Sequence, residues 1–204
     1  MDFNLKRTAQ ITGLLLLSAA VTQIIYTALY ASGGAVPRRL LWGTEAILFV
    51  MMAAFAGSAL ARTSKRHLAW SAITAAAILN VIQVGIGLTQ FGPFFEAAGE
   101  VEALAPAAGS VVALSFMVYN AAKILLALAL IDFGLGRRGS GSVWSGWICV
   151  LLGLTALVSN AASMAAGRDV FGGIPIAGGS GVVATVLLGL TLLTWPDQAD
   201  RARS

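Results

Sequence analysis

Residues 110–133 read SVVALSFMVYNAAKILLALALIDF, with only two charges, Lys123 and Asp132, the second next to the end. In α-helical geometry this stretch extends about 36 Å, enough to cross a hydrocarbon core of roughly 30 Å. The apolar run is continuous and rich in Leu and Ala, whereas a strand of a membrane barrel would be short and alternating. The stretch therefore reads as a transmembrane helix. Five more segments meet the same test, at 9–31, 40–61, 68–91, 146–166 and 180–196. The expected fold is an all-α integral membrane protein: a bundle of six transmembrane helices, one domain over residues 1–204.

Composition agrees. The 204 residues are 58% hydrophobic and 11% charged, with a mean hydropathy of +0.84. A soluble domain carries about 25% charged residues, so this chain could not cover a globular surface with polar groups. That excludes a soluble enzyme domain, a disordered chain and a nucleic-acid-binding module; no nucleic-acid partner is expected. The net charge of +4 serves orientation instead. Nine of the 13 Lys and Arg fall on one side of the spans: Lys6, Arg7, Arg62, Lys65, Arg66, Arg137, Arg138, Arg201 and Arg203. Three (Arg38, Arg39, Arg168) fall on the other, and Lys123 lies inside a span. The bias places both termini in the cytoplasm, in a plasma membrane that we read as a bacterial inner membrane. Trp70, Trp144, Trp147 and Trp195 at one set of ends, and Trp42 and Tyr30 at the other, read as interfacial belts.

Lys6-Arg7 ahead of Ile11–Val21, with Ser18-Ala19-Ala20 behind, has the outline of a signal peptide. The apolar run continues through Ile24, Ile25 and Tyr26 to about Ala31, beyond the length of a signal h-region. An uncleaved first helix is expected. The connections are short. The 92–109 stretch is the longest and carries a candidate surface helix at Phe95–Ala105. The glycine-rich 172–181 stretch reads as a flexible turn, since it lacks the strand and Lys of a phosphate loop. Odd-numbered spans share an amide followed by glycines (Gln23, Asn80, Asn160), which suggests three related helical hairpins.

Polar residues inside a bilayer are costly and face other helices or a cavity. Ala76, Asn80, Gln83, Gly87 and Gln90 lie on one stripe of the third span, with Ile78, Ile82 and Ile86 on other faces. Ala113, Phe116, Asn120, Lys123 and Ala127 form a stripe of the fourth span. Ala20, Gln23, Thr27 and Tyr30 do so in the first, and Gly153, Ala156, Asn160 and Ser163 in the fifth. Such stripes serve helix packing or line a cavity. Lys123 decides for a cavity, because it is too deep to snorkel. The nearest acidic residue in a span, Glu45, lies about two turns from it in depth. A bridge through Gln83 or Asn120 is expected rather than a direct ion pair. Glu45, Asn80, Gln83, Asn120, Lys123 and Asn160 are thus the candidate polar cavity. Asp132 reads as an interfacial charge near Arg137 and Arg138.

One His and one Cys (His67, Cys149) leave no bis-His haem site and no intrachain disulfide. No metal or other cofactor is expected. There is no P-loop, HExxH or GxSxG motif, and no catalytic residues are assigned. A retinal Schiff base on Lys123 is disfavoured by six spans and no counter-ion one turn away. The leading expectation is binding or transport of a small polar or anionic solute, or an ion, in the outer half of the bundle. The alternatives are an accessory or assembly subunit, with a membrane partner or a homo-oligomer covering the stripes, and an enzyme acting on lipid or quinone.

Overall fold

A computed structural model describes residues 4–138 and 142–195. Its long elements are α1 (Leu5–Ala31), α2 (Arg38–Arg62), α3 (His67–Thr89), α5 (Ala105–Arg138), α6 (Val143–Ala166) and α7 (Ile176–Leu193), with a short α4 (Phe91–Glu100) between α3 and α5. The six long elements, with α4 continuing the third, are long and apolar enough to cross a membrane. Residue 196 of the sixth expected span, and Arg201 and Arg203, lie outside the described residues.

Helix limits follow local chemistry. Asn4 caps α1, its side-chain oxygen accepting the Arg7 backbone N–H at 2.8 Å, so the helix begins four residues before the apolar run. The expected surface helix exists but starts earlier. Gly92-Pro93 form its first turn, where a missing N–H costs nothing, and a 3₁₀ turn at Glu102–Leu104 joins it to α5. The 172–181 stretch is only partly a turn. Gly172 and Gly173 take positive φ, but α7 begins at Ile176 directly after Pro175. Gly178, Gly179 and Gly181 are therefore helical.

The long helices form a closed ring in the order α1, α2, α3, α5, α6, α7 and back to α1, with α5 also touching α7 and α4 resting on α5. The expected hairpins are neighbours in this ring. Contacts between hairpins, α5 with α6 above all, are as close, so packing does not mark the hairpins as units. One end of the ring carries the start of α1 and the end of α7; we call it the terminal end. The far end carries the α1–α2 and α6–α7 connections and α4.

Between lipid-like helices, close approach rather than hydrophobicity drives packing, and the seams use small residues. Ala56, Ala59, Ala69, Ala72, Ala76 and Ala77 are buried along α2 and α3. Gly13 on α1 meets Gly189 on α7 so closely that a Cβ on Gly13 would stand 2.7 Å from the Gly189 carbonyl oxygen. Ile78, Ile82, Leu151 and Val158 are exposed on the outside of the ring, as a lipid-facing surface requires.

Two of the tryptophans expected in interfacial belts are internal instead. Trp42 packs on Tyr26 (centroids 5.4 Å) and Phe91 (5.7 Å), over Gly87, which has no side chain to obstruct it. Trp70 is 1% exposed and meets Phe133 edge-on, which in turn meets Trp195. Trp144 and Trp147 are exposed as expected. Asp132 pairs with Arg66 at 2.7 Å and not with Arg137 or Arg138. Arg66 holds a left-handed φ of 64° just before α3, which turns its guanidinium to the Asp132 carboxylate and main-chain carbonyl.

The Gly13–Gly189 contact generates a prediction. Gly13→Leu is expected to destabilise the detergent-solubilised protein by about 1–3 kcal/mol through overpacking. Gly43→Leu, at a glycine with open space around it, should leave the thermal midpoint near that of the parent. Thermal unfolding of both variants is the check.

Candidate functional site

Lys123 stands near the middle of α5, where α5 packs against α3, α6 and α7. It is 1% exposed. Its ammonium donates to Gln23 Oε1 on α1 at 2.8 Å and to Thr185 Oγ1 on α7 at 3.2 Å. It also lies 5.2 Å from the centre of the Tyr119 ring, within cation–π range. Every partner is neutral. The Thr185 hydroxyl proton goes to the Gly181 carbonyl at 2.7 Å, which leaves its oxygen free to accept from lysine. Gly181 also makes room for the lysine stem, since a Cβ there would stand 3.0 Å from Lys123 Cγ and Cδ. A helical glycine at this point admits a long side chain between α5 and α7.

Glu45 on α2 is buried as well, at 4% exposure. Its Oε1 accepts from the Thr22 hydroxyl at 2.7 Å. Thr22 has one proton and shares it with the Ala19 carbonyl at 2.8 Å. No ion pair joins Glu45 to Lys123; the described salt bridge is Arg66–Asp132. The carboxylate and the ammonium are instead held by adjacent residues of α1, Thr22 and Gln23. The expected bridge through Gln83 or Asn120 is not among the described hydrogen bonds; each group is held separately by α1.

The other candidates do not join this pair by any described hydrogen bond. Gln83 donates to Ser115 across α3 and α5 at 3.3 Å. Asn120 is buried at 4% exposure. Asn80 and Asn160 share one arrangement: each donates its amide N–H to the carbonyl four residues earlier, Ala76 or Ala156, and each keeps a buried Oδ1 without a partner. Asn160 also donates to Ala177 at 3.1 Å, tying α6 to α7, beside a Ser159–Ser180 hydroxyl contact of 2.6 Å.

The stripes hold only in part. In α6 all four members are buried, and in α3 only Gln90 at the far end is exposed. In α5 the half containing Asn120, Lys123 and Ala127 is buried, but Ala113 and Phe116 are exposed. Near the far end α5 is covered from the α3 and α4 side, which buries Ala108 and Ser115 instead. In α1, Thr27 and Tyr30 are exposed. Thr22, Thr185, Tyr119 and Gly181 were not among the expected site residues. A hydroxyl beside Gln23 and the Gly181–Thr185 spacing on α7 were the available signals.

The six expected residues do not line a concavity of about 720 Å³ at the surface. That surface is open, at the far end, between Tyr30 and the Pro37-Arg38-Arg39-Leu40 turn. Among the described residues no three His, Cys, Asp or Glu side chains gather as a metal site would require. Fold and site together define a multi-pass helical membrane protein with a buried, charge-bearing polar centre. Comparison with protein families, curated proteins and solved structures finds no match.

The ammonium's dependence on neutral acceptors is measurable. Gln23→Leu removes one acceptor and is expected to lower stability by about 1–2 kcal/mol. Lys123→Met in the same chain should recover much of that loss. A double-mutant cycle on denaturation in mixed micelles reads the coupling; additive losses would show that the Gln23–Lys123 bond carries no energy.

Proposed function

We propose that this protein binds a small polar or anionic solute at Lys123 and passes it across the bilayer. The observation that carries the reading is a lysine buried at the centre of a closed ring with neutral partners alone. Burying an ion costs several kcal/mol even after relaxation, and a permanent counter-ion would be the cheaper structural solution. An ammonium hydrogen-bonded to dipoles alone can exchange one of them for an anion in direct contact. Glu45, held separately by Thr22, is a second ionisable group within electrostatic reach of Lys123. It can exchange a proton or repel the anion on release. Asn120, buried one turn before Lys123 on α5, supplies an amide nearby. By the charge bias of the loops, the termini face the cytoplasm and the far end faces outward.

The accessory-subunit alternative needs Lys123 to meet a partner's carboxylate. Its burial within its own ring speaks against that form of the idea, and no observation favours another.

The test uses thiol accessibility. With Cys149 replaced by Ser, cysteines are placed in turn at 23, 45 and 123 in the reconstituted protein, and a membrane-impermeant charged methanethiosulfonate is applied. Reaction at 123 and at 23 or 45 is the expected outcome. Absence of reaction at all three positions from both sides, in folded protein, would overturn the reading. Once a solute is identified, Lys123→Ala should abolish its binding while the protein remains folded.

A further inference from the structure

The two halves of α1 are held differently. Its buried residues are Thr8, Ala9, Thr12, Gly13, Leu15, Leu16, Ala19 and Ala20. All lie in the terminal half, where Gly13 is locked against Gly189 and Thr8 accepts from Arg62 at 2.7 Å. From Val21 to Ala31 no residue is buried, and Val21, Ile24, Ile25 and Tyr30 are exposed apolar surface. The described side-chain contacts that tie this half to the ring are the Thr22–Glu45 bond, the Gln23–Lys123 bond, the Tyr26–Trp42 stack and the packing of Leu29 on the core. Two of these are the contacts that occupy the two buried charges. The Thr22 hydroxyl also shares its proton with the Ala19 carbonyl, at the point where burial ends.

We propose that the far half of α1 is a lateral gate, latched by Thr22 and Gln23, through which the site takes an amphiphilic anion sideways from the bilayer. The inference rests on Lys123 being the binding group. An anionic head that displaces Gln23 from the ammonium removes the Gln23–Lys123 tie, so occupancy and opening are one event. The wall that moves is apolar on its outer side, which favours a ligand with an apolar tail over one arriving from water. A bend of about 20° above Ala20 would move the tip of an eleven-residue lever, roughly 16 Å long, by about 5 Å.

Spin-label distances test the gate in full-length protein with Cys149→Ser, reconstituted in bilayers. One pair, Ala28→Cys with Leu114→Cys, spans the far half of α1 and α5. A second, Leu14→Cys with Leu135→Cys, spans the terminal half; all four sites are exposed. Octanoate serves as the anionic amphiphile and octyltrimethylammonium as its cationic counterpart. The far pair is expected to lengthen or broaden by about 5 Å, the swing estimated above, in the Thr22→Val/Gln23→Leu chain and in the parent with octanoate. The terminal pair should stay fixed. An unchanged far pair in the latch variant overturns the gate, as does an equal change in both pairs. A parent that fails to respond to octanoate, or responds equally to the cation, overturns the ligand class. Thiol reaction at position 123 without any far-pair change would retain the binding reading and refute the gate alone.

Discussion

The ammonium of Lys123 must find acceptors inside its own ring, and much of the architecture answers that demand. Gln23 reaches it from α1, a helix that does not pack along α5. Thr185 reaches it from α7 with its own proton already committed to Gly181. Gly181 gives up a side chain so that the lysine stem fits. One charge thereby fixes the relation of three helices that small-residue packing would leave free to rotate. In a medium where lipid tails are as apolar as leucine, such polar contacts and close seams select one arrangement from many of similar area.

Span number and approximate limits were legible because a continuous apolar run has one stable solution in a bilayer. Faces were legible where a helix is enclosed on two sides, as with Asn160 and Ser163 on α6. They were misread where cover is one-sided, as with Ala113 and Phe116 on α5 or Thr27 and Tyr30 on α1. Periodicity gives an angle around one helix and says nothing of the neighbour at a given height. For the same reason Lys123 and Glu45 could be ranked by depth but their separate partners on α1 could not be placed. The glycines of α7 were misread because glycine marks both a turn and a tight helix contact. Trp42 and Trp70 were misread because a tryptophan near a span end suits the interface and an internal ring stack equally well.

The two ends of the ring differ in how they are tied. At the terminal end, Arg66 binds Asp132, Arg138 lies 3.8 Å over Trp147, Arg137 donates to Thr191 on α7 and to Thr194 just beyond it, and Trp70, Phe133 and Trp195 interlock. At the far end the connections are glycine-bearing turns and a short helix lying on α5. That end is tied by the Tyr26–Trp42–Phe91 stack and the Asn160–Ala177 bond, and the polar centre sits between the two ends.

The closure of the ring by α1 on α7 has a consequence for biosynthesis. As the chain is made, Lys123 enters the bilayer when Gln23 is already present, but Thr185 follows 62 residues later. Until α7 arrives, the lysine is short of one acceptor, and Gly13 lacks the glycine surface against which it is seated. An assembly lacking α7 would have an open flank beside α1 and a cation short of one acceptor. The last and shortest span is what completes the structure, so truncations within it would present quality-control machinery with an exposed charge in the membrane.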